Sequence, residues 1–169
     1  MGFFDRFKKK EEPVAAPVGP VMLAADAKGT VVEMEKIPDE VFAQGILGKC
    51  CGIEPAEGKV YAPVDGEITQ APDSLHALGI MGTGEVEVLI HVGVDTVEMK
   101  GDGFTSSVKV GDKVKKGQLL LEMDLEKIKA ANHPAVVITV ITNTDDFASV
   151  ELVASGEVEP GADLIKVTK

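Results

Sequence analysis

Apolar positions recur in short runs from about Val21 onward: GTVVEM, KVYAPVDGEITQA, HALGIM, EVEVLIHVGV, SSVKV, QLLLEMD, AVVITVITN and LIKV, each set off by Gly, Pro or Asp. Runs this short, rich in β-branched residues and separated by turn residues, predict strands. Their number predicts an all-β fold, an antiparallel sandwich or barrel with short helices only. Alternation is clearest over residues 85–94. Val86, Val88, Ile90, Val92 and Val94 share one face there, and Glu87, Leu89, His91, Gly93 and Asp95 fall on the other. Helix is expected in two places. Residues 39–48, DEVFAQGILG, have an acidic start, and residues 124–132, DLEKIKAAN, open on an N-cap residue and stop before His133-Pro134.

Before Val21 the pattern differs. Residues 1–10, MGFFDRFKKK, put Phe3, Phe4 and Phe7 on one face of a short helix whose other face is basic. That arrangement suits either weak contact with an anionic membrane or a solvated tail. Arg6 stands where a myristoylation motif wants Ser or Thr. Residues 11–20, EEPVAAPVGP, hold three prolines and read as an extended linker. The organisation expected is a basic tip and linker over residues 1–20 and one folded domain over residues 21–169.

Composition narrows the class. A chain of 169 residues suits one domain that folds without disulfides, and no apolar run approaches the roughly 20 residues that span a bilayer. The two cysteines are the neighbours Cys50 and Cys51, which seldom pair. With no secretory pattern at the start, they read as reduced thiols in a cytoplasmic protein. The net charge of −11 argues against nucleic acid and for a basic protein partner. Arg6, Lys8, Lys9 and Lys10 against Asp5 alone make the tip +3, which leaves −14 on the remainder.

Three histidines constrain any imidazole chemistry: His76, His91 and His133. If Thr83-Gly84 is a two-residue hairpin turn, His76 lies directly opposite His91 on one face, with Cβ atoms roughly 4.5 to 5.5 Å apart. A connection of odd length shifts the pairing by one residue and separates the rings. Facing imidazoles are open to three uses. A metal site needs more protein ligands than this, and Cys50-Cys51 lacks zinc-type spacing, so no intrinsic metal is expected. The rings could instead be a buried pair satisfying each other's hydrogen bonds. In the third use one neutral ring attacks while the other donates to the developing charge. Phosphoryl transfer suits that division of labour. No Walker-type loop is present, so the phosphoryl group is expected from another protein, with no cofactor. His133 lies outside every motif and reads as structural or exposed.

Two resemblances bear on this. Residues 62–68, APVDGEI, and 110–122, VGDKVKKGQLLLE, resemble elements of biotinyl and lipoyl carrier domains, whose modified lysine sits at a hairpin tip. Here the corresponding EMDLEKIKAA is helical in pattern. Residues 89–104, LIHVGVDTVEMKGDGF, resemble the active-site signature of the glucose-family IIA components of the bacterial phosphoenolpyruvate-dependent sugar phosphotransferase system. KVYAPVDGEI, the spacing to His76, and IPDEVFAQGILG at residues 37–48 extend the resemblance over most of residues 29–169.

The resemblance implies a β-sandwich built on a duplicated hybrid motif related to the biotinyl and lipoyl architecture. It implies a phosphotransferase component that accepts a phosphoryl group from the histidine-containing phosphocarrier protein HPr on His91 and passes it to a cysteine of a IIB domain. By the same matching, His76 supports the phosphoryl group and Ser74 orients the His76 ring. Asp39 and Asp95 flank the site to meet basic residues of HPr, and Val41, Phe42, Ile46, Leu47, Leu78, Leu89 and Val97 form an apolar rim. Relatives often have Asp-Gly-Ile at Lys49-Cys50-Cys51, Asn at Leu75, and apolar residues at Pro72 and Glu40. Members of this class serve glucose, N-acetylglucosamine and β-glucoside permeases, with specificity largely in the membrane partner. The alternatives are a biotinyl- or lipoyl-like carrier and a regulatory binding module without transfer.

Overall fold

The computed structural model describes residues 20–169, so the tip and linker expected at residues 1–20 lie, Pro20 apart, outside the described residues. The first half contains β1 (Val21–Ala24), β2 (Gly29–Val32), α1 (Glu40–Ala43), β3 (Lys49–Pro55), β4 (Lys59–Tyr61), β5 (Gly66–Gln70), β6 (Ala77–Gly82) and β7 (Val86–Val92). The second contains β8 (Phe104–Ser106), β9 (Lys113–Val114), β10 (Leu119–Met123), α2 (Leu125–Ala130), β11 (Val137–Ile141), β12 (Ser149–Leu152), β13 (Glu157–Val158) and β14 (Asp163–Thr168). The result is an antiparallel β-sandwich. An eight-stranded sheet in the order β13-β2-β3-β11-β7-β6-β5-β9 is accompanied by two three-stranded sheets, β1-β14-β12 and β4-β10-β8.

β7 shows the expected alternation: Val86, Val88, Ile90 and Val92 are buried in the main core, while Glu87 is exposed and Leu89 and His91 are half-buried. Its neighbour β11 is buried on both faces. Val137 and Ile141 enter the main core, whereas Val136, Ile138 and Val140 pack with Ile37, Phe42 and Val94 in a second, smaller cluster. That cluster pins α1 against the outer face of the large sheet. Ile138 is paired with His91, so the pinned segment lies beside the histidine.

Both expected helices are present but shorter than the pattern predicts. Asp39 Oδ1 accepts from Val41 N at 2.8 Å to start α1, and Gly45 at φ 69 and Gly48 at φ 133 end it early. Asp124 caps α2 in the same way. Five strands lie outside the expected segments: β1, β3, β9, β12 and β13. The most consequential is β3, which pairs with both β2 and β11. Its sequence, KCCGIEP, carries Gly and Pro, weak strand residues by propensity. Gly52 is needed there for space, since a Cβ would stand 2.7 Å from Val136 Cγ2.

One carboxyl group among the described residues is sealed inside. Asp26 is fully buried; its Oδ2 accepts from Thr139 Oγ1 at 2.5 Å, while Oδ1 has no partner among the described residues. Burial lifts its carboxyl from 3.8 to about 7, against the pull of the Thr139 hydrogen bond. A folded-state value above the unfolded one means that this stabilisation is complete below about 3.8 and is lost as pH rises through about 7, by an amount on the order of 4 kcal/mol. Chemical denaturation across that range should show the native chain losing stability relative to Asp26→Asn as pH rises. A constant difference between the two would mean that Asp26 stays ionised in the fold.

Candidate active site

The two histidines meet, though not by the expected register. The β6–β7 connection has three residues, Thr83, Gly84 and Glu85, with Gly84 at φ 71 and Glu85 at φ 64. This odd length places Ala77, rather than His76, opposite His91. Strand alternation alone would then separate the rings. His76, however, precedes β6, and Leu75 at φ 57 turns the chain just before it. The His76 carbonyl still accepts from Val92 N at 2.7 Å, so the backbone stays in the ladder while the ring is free of the pleat. The ring centroids are 5.1 Å apart with the planes at 76°.

Hydrogen bonds set the ring nitrogens. His91 Nδ1 lies 2.7 Å from Gly93 O. A carbonyl only accepts, so Nδ1 carries the proton and Nε2 of the neutral ring is bare. The Gly93 backbone has φ 79, and a Cβ there would stand 2.5 Å from Thr96 Cγ2 and 2.8 Å from Pro134 O. Only glycine fits this turn. His76 Nδ1 lies 2.6 Å from Ser74 Oγ, which leaves His76 Nε2 as its other polar atom.

Electrostatics keep both rings neutral near pH 7. Burial lowers His91 below its usual 6.5, partly offset by the Gly93 carbonyl and by the carboxylates of Asp39 and Asp95. Burial and the nearby His91 lower His76. Asp39 thus serves as N-cap of α1 and as a charge near His91, while Asp95 is a left-handed turn residue at φ 60. The neighbouring thiols are not rival nucleophiles. Burial pushes Cys50 up to about 11, and the deeper Cys51 still higher.

The apolar surroundings divide by exposure. Val41, Ile46, Leu47 and Val97 are exposed, and Leu89 is half-buried on the His91 face. Phe42 is buried, with its ring centroid 5.0 Å from that of His91. Leu78 does not belong to a rim. It pairs with Ile90 on the core face and is fully buried, because Ala77 and Gly79 are the β6 residues opposite His91 and Leu89. Sequence reasoning missed the supporting shell: Gly93, the buried Thr96 whose hydroxyl donates to Val92 O, and the carbonyls of Pro134 and Val136 that accept from Val94 N and Gly93 N. The glycine two residues after His91 was the available signal. His133, read as structural or exposed, keeps only 14% of its side chain exposed.

The β-sandwich brings two imidazoles together, and the class of protein it belongs to follows from its relatives. The family profile for the phosphoenolpyruvate-dependent sugar phosphotransferase system, EIIA 1, matches residues 21–147. The glucose-specific EIIA component of Halalkalibacterium halodurans is 43% identical over 90% of this chain and 88% of its own length. The β-glucoside-specific EIIBCA component of Dickeya chrysanthemi is 45% identical over 82% of this chain, which spans only 22% of that longer relative. The solved structure of glucose permease IIA from Mycoplasma capricolum superposes with a TM-score of 0.78 at 31% identity, over 87% of this chain and 95% of that one. The chain belongs to this EIIA family and is a phosphoryl carrier of a sugar phosphotransferase system. The lipoyl-type alternative is not favoured, since Lys127 and Lys129 lie on α2 rather than at a hairpin tip.

Because both folded-state values lie below 6.5, the unfolded chain binds the extra protons. The stabilisation from neutral His76 and His91 is complete above about 6.5 and is lost as pH falls through the folded values. Ring ¹⁵N shifts followed against pH should give two midpoints below 6.5, and His91→Ala should move that of His76 upward. An unmoved His76 midpoint would exclude electrostatic coupling between the rings.

Proposed function

We propose that His91 Nε2 is the atom that carries the phosphoryl group, taken from phospho-HPr and passed to a cysteine of the IIB domain of a membrane sugar permease. The observation that carries this reading is the bond from His91 Nδ1–H to Gly93 O, which leaves Nε2 unprotonated beside the His76 ring. In the forward step the N–P bond on the donor histidine breaks as the bond to His91 Nε2 forms. No proton leaves His91, because Nε2 holds none. With the Ser74 hydroxyl donating to His76 Nδ1, His76 Nε2–H donates to an equatorial oxygen of the transferring group. In the second step the IIB thiolate displaces His91 from phosphorus.

The surface fits protein partners. Val41, Ile46, Leu47 and Val97 supply a desolvated patch that shields phosphohistidine from water, and Asp39 and Asp95 supply charge for a basic donor. The EIIBCA relatives carry EIIA and EIIB in one chain, which supports a IIB domain as acceptor. Such partners support a location at the cytoplasmic face of the membrane, and the basic residues 1–10 suit either weak contact with anionic lipid there or a solvated tail. The sugar is chosen by the permease.

Incubation with phosphoenolpyruvate, enzyme I and HPr should attach one acid-labile phosphate per chain, and His91→Ala should abolish it. His76→Gln should still be charged while transfer to IIB slows about a hundredfold, the scale of losing one transition-state donor. Labelling that survives His91→Ala would place the phosphoryl group elsewhere.

A further inference from the structure

The Gly93 carbonyl that fixes the His91 tautomer lies beyond the end of β7, so something other than the sheet must hold it. Gly93 N donates to Val136 O at 2.7 Å and Val94 N to Pro134 O at 3.1 Å, seating the turn on the segment before β11. The chain then enters a 3-10 turn, Thr96–Met99, closed by Glu98 N to Asp95 O at 3.1 Å. From the other side, His133 N donates to Ile128 O at 3.2 Å, anchoring the start of the same segment to the end of α2. His133 Nε2 stands 3.8 Å from Glu98 Oε1. This contact closes a ring that runs from Gly93 through the 3-10 turn to Glu98, across to His133, and back along Pro134 and Val136.

The other charges lining the cleft around His133 are Lys127 on α2 and Asp102 in the loop after the 3-10 turn. These two pair with each other at 2.8 Å, which leaves Glu98 as the carboxylate available to His133. Glu98 is 69% exposed, so the pair is a modest restraint on a turn that the backbone bonds already shape.

We propose that His133 is a positioning residue of the phosphoryl-carrier site. Paired with Glu98, it latches the Thr96–Met99 turn to the segment entering β11, and so adds to the backbone bonds that hold the Gly93 carbonyl and orient the His91 ring. The proposal rests on His91 as the acceptor.

The test compares His133→Gln, Glu98→Gln, the double variant and His133→Lys in the full chain. Two readouts are used: long-range ¹⁵N–¹H spectra of the His91 ring, and single-turnover phosphorylation by phospho-HPr at several pH values. Each Gln variant should shift the His91 nitrogens away from a pure Nδ1–H pattern and slow transfer roughly two- to fivefold at saturating donor, with half-saturation unchanged. The double variant should lose no more than either single one. His133→Lys should restore the rate. An unchanged His91 spectrum with unchanged rates, additive losses, or a change confined to half-saturation would each overturn the proposal, the last by making Glu98 a donor contact. Glu98→Gln alters an exposed side chain and so reports even if His133→Gln unfolds. If His91→Ala were still labelled, the functional reading would fail, while the ring spectra would still decide whether His133 positions His91.

Discussion

A neutral imidazole has one N–H, and in His91 the carbonyl of Gly93 decides where it is. With the proton on Nδ1, Nε2 keeps its lone pair in a ring that packs against His76, and the proposed transfer through His91 depends on that lone pair. The surrounding architecture serves that one hydrogen bond. Gly93 reaches its left-handed turn because no side chain is present to strike Thr96 or Pro134. The strand that ends there is held on both sides, by β6 and by β11.

The second requirement is that two imidazoles stay uncharged in close company. Burial does most of this, and the nearness of His91 lowers His76 further. Asp39 and Asp95 act in the opposite direction on His91 and keep its basicity from falling too far for a nucleophile. Phe42 is the aromatic neighbour of His91. Its ring packs on His91, its backbone carbonyl accepts from the Cys50 thiol, and the small core on the outer face of β11 keeps it in place. Cys50 thus holds the backbone of the residue that packs on His91.

Legibility in the sequence followed the physics of each segment. The alternation in β7 was readable because one face meets the core and the other does not. β3 was not readable, since a central strand with a close-packed glycine and two small thiols owes its conformation to β2 and β11 rather than to propensity. Leu78 was assigned to the wrong face for a related reason: matching to a motif places a residue near a site but leaves open which way its pleat turns. The outcome at His76 is more instructive. The parity rule applied to the hairpin and its loop was odd, yet the rings met because His76 lies one residue before the strand, behind a left-handed Leu75.

The sequence alone determined the elements with local causes: the alternating strand, the Asp-capped helices, the acid balance and the signature around His91. These depend on spacing and side-chain chemistry over a few residues. Tertiary structure decided the meeting of His76 with His91, the seating of Gly93 on Pro134 and Val136, and the placing of His133 against Glu98. Those contacts join residues that only the paired strands bring together, so no window along the chain contains them.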